Sequence, residues 1–423
     1  MKALLINPWI YDFAAYNFWI RPLGLYSVGE WLWERGVNVT LVDALSPFKA
    51  PGKFKRTKIP TPDVLQGIPR QYSRYGISVD EFVYRIKSNS PFDVVFVTSS
   101  MSYWYPGVQK AISLVKELFP HIPVVLGGVY ATLWYDHANT KTGADLVLRG
   151  PIEKNEQQLS LFLNIPLRRV RKKRPWYLLG LHDGVPYAGI RTATGCPFRC
   201  TYCGSFEISG PYAPKKCEEV IDELTYLYKE GVGEIAFYDD ALLVDFESRL
   251  GPILEGILER SLHFKFHTPN GLHARYLNKK VARYMKKAGF QTIRLSLETT
   301  SIARQKATGG KVSNEAVVEA VKNLLDAGID KDAIGIYLLV GLPGQDSDEV
   351  RASIEFVKSL GVRPYLAEFS PIPGTIEWQK LVEMRVIPRD LDPLLTNNTV
   401  FFRLYSQIGE EDWKDFTARR MNL

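Results

Sequence analysis

Cysteine is scarce in this chain, at four residues among 423, and histidine, at six, is little commoner. Four thiols, the last of them (Cys217) isolated, do not make the disulfide framework of a small secreted domain. Long apolar runs are missing too: no uncharged stretch approaches the roughly 18 to 20 residues that cross a bilayer. The opening MKALLINPWIYD has neither the extended apolar core nor the small-residue cleavage site of a signal peptide. These absences lead us to expect a cytoplasmic protein with reduced thiols and no membrane span. Charge is only mildly one-sided, at +7 with a pI near 9.0. Part of the excess lies in LRRVRKKRP, Leu167 to Pro175. With no aromatics interleaved for base stacking, that run reads as a solvated interdomain linker, and no nucleic-acid partner is expected.

What is abundant is apolar and aromatic material, 46% and 12% of residues, enough to fill the cores of two domains. Up to about residue 150, short β-branched runs alternate with amphipathic stretches. ALLINP, VNVTLVDAL, DVVFVTSS, PVVLGG and ADLVLRG read as five strands. LGLYSVGEWLWERG, SVDEFVYRIK with a Ser N-cap, and GVQKAISLVKELF read as helices; the segment before Gly76 reads as irregular. The expectation is a doubly wound, Rossmann-like α/β domain over 1–150, whose ligands lie at the carboxyl ends of the strands. Those ends carry Trp9, then Thr98, Ser99 and Ser100, then Gly127, Gly128 and Thr132. Two glycines there allow close backbone approach, and the hydroxyls offer hydrogen bonds. The aromatic group Trp9, Tyr11, Phe13, Tyr16, Phe18 and Trp19 reads by itself as core or interface.

Three of the four cysteines fall within eight residues of TATGCPFRCTYCGSFE: Cys196, Cys200 and Cys203, spaced Cys-x3-Cys-x2-Cys on a loop that Gly195 lets turn sharply. A structural zinc ion wants four closed ligands, and no fourth lies at the usual spacing, Cys217 being fourteen residues on. Three cysteines suit a [4Fe–4S] cluster with one iron left open. Further strand and helix units follow: EIAFYDDALL, FKFHTPNGL, TIRLSLET, AIGIYLLVGLPG and LAEFSPIPGT as strands with their loops, and EEVIDELTYLYKEG, KKVARYMKKAG, SNEAVVEAVKNLLDAG and DSDEVRASIEFVKSLG as helices. They predict a partial (β/α)6 barrel over 187–385, after a linker over 151–186 and before a short helical tail over 386–423, with the functional groups at the strand ends.

The cysteine spacing after GIRTATG resembles the radical SAM superfamily. The first domain, through ALLINP, RYGIS, TSS, GGVYAT and LVLRG, resembles the cobalamin-binding domain that precedes the barrel in many of its members. The resemblance implies that Cys196, Cys200 and Cys203 hold a [4Fe–4S] cluster whose open iron is chelated by S-adenosylmethionine (SAM). It implies that Tyr202 packs by the adenine, that Tyr238, Asp239 and Asp240 meet the SAM amino group, and that Ser296 and Glu298 of LSLET bind the ribose hydroxyls. Val340 and Gly341 of VGLPG would stand beside the adenine and Arg275 would meet the SAM carboxylate. SPIPGT, Ser370 to Thr375, would close the barrel, while Cys217 would be structural. Cobalamin would rest on Trp9, Thr98, Ser99, Ser100, Gly127, Gly128 and Thr132. The Asp-x-His-x-x-Gly motif that ligates cobalt from below is absent, neither His121 nor His137 having its context, so cobalt would have no histidine lower ligand.

The implied function is cobalamin-dependent radical SAM C-methylation: a 5′-deoxyadenosyl radical takes hydrogen from an unactivated carbon, and the substrate radical takes a methyl group from methylcobalamin. Ferredoxin or flavodoxin would supply the electron. The substrate would be a peptide or protein side chain, for example of methyl-coenzyme M reductase. Alternatives are a small molecule (a tetrapyrrole, lipid or natural product), a radical SAM cyclisation, rearrangement or oxidation, a first domain serving as scaffold alone, and a non-enzymatic sensor. A sensor would have no need of the YDD, LSLET and VGLPG segments.

Overall fold

A computed structural model describes residues 1–46, 50–173 and 187–421, with side chains described to residue 418. The described chain forms two units. The first holds the residues up to 173 together with Glu207–Ser209 and Asp392–Thr396; the second holds most of the chain from Tyr187 onward.

In the first unit five parallel strands form one sheet: β1 (Lys2–Asn7), β2 (Asn38–Asp43), β3 (Val94–Val97), β4 (Val124–Leu126) and β5 (Leu146–Val147). Their order is β5-β4-β3-β1-β2. The chain therefore builds the sheet outward in two directions, and the switch falls between β1 and β3. Helices α1 (Leu23–Glu34), α2 (Val79–Ser88), α3 (Tyr105–Leu118), α4 (Val129–Leu133) and α5 (Tyr135–Lys141) connect the strands. All but the first residue of β1 are buried, as a strand covered on both faces requires, which is why it is apolar without alternation. Ser78 caps α2 by accepting from Glu81 N.

Two expectations change here. Residues 151–163, read as linker, belong to the first unit: after a turn at Ile152–Lys154 they form α6 (Glu156–Leu163), and Ile152, Leu159 and Leu163 enter the core with Leu5, Val94 and Phe96. The rest of the basic run lies on α1 as far as it is described. Arg169 Nε is 3.0 Å from Glu34 Oε2, Arg171 lies 4.5 Å over the Trp33 ring, and Lys173 is 4.0 Å from Glu30. Residues 174–186 lie outside the described part. The stretch before Gly76, read as irregular, contains Arg56–Lys58 paired antiparallel with Ser73–Tyr75, which also pairs with Ile10–Asp12, and Gly52–Lys53 paired with Tyr16–Asn17. Strands of two or three residues carry no alternation to read.

The second unit's sheet has seven parallel strands among the described residues, six of them paired in chain order: β6 (Tyr187–Ile190), β7 (Glu234–Phe237), β8 (Lys265–His267), β9 (Phe290–Glu298), β10 (Ile334–Val340) and β11 (Arg363–Glu368), with the short Leu272–His273 strand paired beside β9. Helices α7 (Cys217–Lys229), α8 (Leu250–Glu259), α9 (Lys279–Ala288), α10 (Ile302–Ala307), α11 (Asn314–Asp326), α12 (Ser347–Ser359) and α13 (Ile376–Glu383) alternate with them. Ser313 caps α11 by accepting from Ala316 N, and Asp346 caps α12 by accepting from Glu349 N. Helices α8, α10 and α13 were not anticipated, α8 because it is apolar almost all round and the other two because they are short.

The tail divides. Asp392–Thr396 is part of the first unit, where Tyr105 donates its hydroxyl to Asp392 at 3.3 Å. Helix α14 (Asn398–Tyr405) packs in the second unit, with Phe401 edge-on to Phe369 and Thr399 Oγ1 donating to Glu368 Oε2 at 2.8 Å. Helix α15 (Glu410–Met421) is tied to α12 by Arg351, 3.2 Å from Asp412 and 2.8 Å from Asp415.

Candidate functional site

The cysteine loop follows β6 and is held from several sides. Ala193–Thr194 pairs antiparallel with Ala213–Pro214. Gly195 has φ +70°, and a Cβ there would lie 2.5 Å from Gly210 O and from Pro211 O, so only glycine makes this turn. Cys203 N donates to Cys200 O (3.0 Å), and Thr201 N to Thr308 O (3.2 Å). Helix α13 also grips the loop: Glu377 N donates to Thr201 O, and Thr201 Oγ1 to Glu377 Oε1 at 2.7 Å. Cys196, Cys200 and Cys203 are all free thiols. Burial pushes Cys196 and Cys200 above their ordinary value.

The loop's approach is fixed by a buried clamp. Asp239, just beyond β7, accepts from Thr192 N at 3.0 Å, Thr192 Oγ1 at 2.6 Å and Ala193 N at 2.8 Å. Arg249 Nη1 stands 3.4 Å from the same carboxylate, while its Nη2 donates to the carbonyls of Ala241, Leu242 and Val244. Burial pushes the Asp239 carboxyl up, opposed by Arg249 and by the donors from Thr192 and Ala193. Asp239, expected to meet SAM, is 3% exposed and its carboxylate oxygens are engaged by the loop it anchors. Asp240 instead lines an open cleft.

That cleft, about 370 Å³, is bounded by Asp240, Pro269, Asn270, Gly271, Ser296, Glu298, Tyr337 and Ala367. Strand β9 delivers two of these through a bulge. Ser296 pairs with Tyr337 and Glu298 with Leu338, so Leu297 is the extra residue, and Glu298 takes φ +69°. A non-glycine residue in the left-handed region is strained, and here the strain re-aims a carboxylate at the strand end. Gly271 makes room for Ser296, whose Oγ would be 2.0 Å from a Cβ at that position. Asn270 Nδ2 donates to Asp239 O (3.2 Å), and Tyr337 donates to Pro269 O (2.9 Å).

Lys311, which the sequence reading passed over, joins the cleft to the cysteine loop. Its Nζ donates to Glu298 Oε1 at 2.7 Å and lies 5.7 Å from the centre of the Tyr202 ring. Burial pulls the ammonium down, but Glu298 and the Cys200 and Cys203 sulfurs outweigh it and raise the group. No pattern marks Lys311 in sequence, since a lysine after two glycines reads as a surface turn.

In the first unit the carboxyl edge at the β1/β3 switch holds a slot of about 20 Å³ lined by Asn7, Pro8, Trp9, Arg21, Ser99 and Ser100 among others. Trp9 is 1% exposed, donates its indole N–H to Ile77 O and packs on Phe82, so its side chain is core. Gly128 is a glycine for internal reasons: at φ +91° a Cβ would lie 2.6 Å from Ser99 O and Thr98 Oγ1. Ser99 Oγ donates to Met101 O, and Thr132 Oγ1 donates to Gly128 O while accepting from Gly150 N. Gly127 has nothing within 4 Å of its Cβ position and Ser100 is half-buried at the edge, whereas Thr98 is buried with its Oγ1 against Gly128. His137 is turned inward to Tyr130 Oη at 2.6 Å.

Residues 190–357 match the Radical SAM superfamily. The uncharacterized methyltransferase PH0819 of Pyrococcus horikoshii is 31% identical over 331 residues, 70% of each chain. The chain belongs to the radical SAM superfamily. The ribosomal protein uS12 methylthiotransferase RimO of Clostridium tetani is 25% identical over 321 residues, 71% of this chain and 65% of that one. Two solved structures share the fold. The radical S-adenosylmethionine methyltransferase TsrM of Kitasatospora setae, solved with tryptophan and a SAM analogue, aligns with a TM-score of 0.69 at 16% identity over 90% of this chain and 76% of that one. The cobalamin-dependent radical enzyme OxsB, solved with aqua-cobalamin and SAM, aligns at 0.60 and 15% identity over 96% of this chain and 56% of that one.

A radical SAM protein binds a [4Fe–4S] cluster and SAM, and the residues present fit both. Among the described residues no three His, Cys, Asp or Glu side chains converge on a point as a single ion would need. A cubane has no such need, because each of three cysteines takes a different iron. Two further residues expected at SAM have partners within the unit. Arg275 Nη2 donates to Gly310 O (2.8 Å) and its guanidinium lies 5.3 Å over the Phe198 ring. Val340 is buried and its carbonyl accepts from Phe369 N. Gly341 is a glycine because Phe402 of α14 would stand 2.7 Å from a Cβ, and its N–H goes to Gln345 Oε1. Tyr238 is half-buried, with its N–H on Ile190 O.

The radical SAM unit should also be acid-sensitive. His273 stacks on Phe198 of the cysteine loop (4.8 Å), and burial, with Lys311 and Arg275, pushes it from 6.5 to about 3. Burial pushes His267 to about 4 against the pull of Glu234. Both imidazoles fold neutral, whereas the unfolded ones protonate near 6.5, so stability is full above about pH 6.5 and falls as pH drops toward about 4. We expect the denaturant midpoint to fall between about pH 7.5 and 5, and His273→Gln to flatten that slope. A wild-type midpoint that does not move would contradict this assignment.

Proposed function

We propose that this chain is a cobalamin-dependent radical SAM C-methyltransferase that acts on an unactivated carbon of a peptide or protein side chain. In this reading a partial (β/α)6 barrel carries the cluster on Cys196, Cys200 and Cys203, and the Rossmann-like first domain takes cobalamin at its β1/β3 strand ends. The observation that carries it is the bridge from the cysteine loop to a cleft with two carboxylates, Tyr202 to Lys311 to Glu298, beside Asp240. Naming of the Pyrococcus horikoshii relative as a methyltransferase, and the cobalamin and cluster bound in TsrM, support the same reading.

Glu298 and Asp240 are acceptor-only groups suited to an ammonium and a pair of ribose hydroxyls, and Ser296 adds a hydroxyl between them. Tyr337 and Ala367 wall the cleft on the β10 and β11 side, and the Asp239–Arg249 clamp keeps the cysteine loop in place. Bound there, the cluster and SAM supply one-electron cleavage of SAM, and cobalamin supplies methyl carriage. In this reading Ser100 and Gly127, half-buried at the first unit's strand ends, meet cobalamin, and the cobalt has no histidine lower ligand. Ferredoxin or flavodoxin is the proposed donor.

The test is anaerobic purification, reconstitution with iron, sulfide and hydroxocobalamin, and an ultraviolet-visible spectrum after desalting, followed by assay with methyl-labelled SAM. Corrin bands beside an iron–sulfur shoulder support the proposal. A cluster without corrin removes the cobalamin half and leaves a radical SAM enzyme of another reaction type.

A further inference from the structure

The turn that carries Lys311 is built against the cysteine loop. Thr308 O accepts from Thr201 N, and Gly309, at a φ of +114° that favours glycine, lies close against the loop, a Cβ there standing 3.2 Å from Arg199 O and 3.3 Å from the Cys200 Cα. Arg275 holds the same turn from its other side through Gly310 O. Two glycines with positive φ, 114° and 60°, then bring Lys311 back into the site. There its side chain is 13% exposed and Glu298 14%, so this is an ion pair largely withdrawn from water. Withdrawing an ammonium is costly unless it faces compensating negative charge. Glu298 supplies one such charge, and the cysteine sulfurs supply the rest once they are thiolates.

We propose that Lys311 is a positioning and charge-balancing residue of the radical SAM site. It fixes the strained Glu298 carboxylate toward the cleft, and it holds one positive charge beside the cluster cysteines so that an electron enters more easily. The inference rests on the radical SAM reading. Reduction moves one electron from a low-potential one-electron donor onto a cluster already bound by three thiolates. No bond forms or breaks in that step, and negative charge rises by one. A fixed cation nearby favours the more negative state, the more so for being shielded from water.

The test uses reconstituted full-length protein, wild type, Lys311→Met and Lys311→Arg. It measures iron and sulfide content, the cluster's midpoint potential by redox titration followed by electron paramagnetic resonance, and SAM affinity by equilibrium dialysis. Lys311→Met should keep its iron, shift the midpoint to a more negative potential, and bind SAM about tenfold more weakly through the loosened Glu298. Lys311→Arg should restore the potential. Iron lost in Lys311→Met and retained in Lys311→Arg supports the charge requirement as well. Unchanged potential or unchanged SAM affinity in an iron-replete Lys311→Met overturns the proposal, and equal loss of iron in both variants overturns it in favour of a packing role. A wild-type protein that takes up no cluster sinks the radical SAM site itself, an outcome distinct from the other two.

Discussion

Replacing Cys196, Cys200 or Cys203 singly by alanine should leave a folded protein that no longer holds a full cluster and no longer cleaves SAM. Each cysteine serves its own iron, so the loss of one is not shared among the others. No neighbour stands in. Cys217, the remaining thiol, opens α7, and its Sγ lies 3.5 Å from Ser248 O and 3.6 Å from Arg249 O. Cys217→Ala therefore serves as the control and should keep full iron content. The loop itself should survive, because its anchors are Gly195, Thr192 and Thr201 rather than the thiols. Iron and sulfide per chain, the charge-transfer shoulder and the yield of 5′-deoxyadenosine are the readouts. A variant that retained both cluster and SAM cleavage would refute the assignment.

The second large effect is expected at Asp239, and it is one of stability. Asp239→Ala strands a guanidinium that is 2% exposed, with the Thr192 hydroxyl and three backbone carbonyls but no counter-charge left to receive it, and should cost about 3–5 kcal/mol. It also frees Thr192 and Ala193, so cluster content should fall even under conditions where the unit stays folded. Replacing both partners, Asp239→Leu with Arg249→Met, removes the stranded charge and should recover part of the loss. Denaturant titration of the three proteins decides the matter. If the double variant is no more stable than Asp239→Ala, or the single change costs under about 0.5 kcal/mol, the clamp is not what holds this loop.

Asp239 and Asp240 show how far sequence carries. They are adjacent and chemically identical, and the family resemblance gave both the same partner. The turn beyond β7 separates them, so one faces the interior and Arg249 while the other lines the cleft. Arg275 and Lys311 make the same point for cations. Arg275, which the resemblance points at SAM, is tied to Gly310 O, and Lys311, in a Gly-Gly-Lys turn that no motif marks, reaches Glu298. In the first unit, Trp9 and Gly128 matched the pattern of a ligand edge, yet both answer to internal packing.

What the sequence determined by itself were properties carried locally: the Cys-x3-Cys-x2-Cys loop after a strand, Gly195 at its turn, the Ser78 and Ser313 caps, and the order of strand and helix units. Each depends on the period of the backbone or on a few neighbouring residues, and these are written in consecutive letters. Only the tertiary structure decided which carboxylate is free, which cation enters the site and where residues 151–163 and 392–396 belong. Those are contacts between residues far apart in the chain, Thr192 with Asp239 or Tyr105 with Asp392, and no local rule of propensity or spacing encodes which distant partner a side chain will meet.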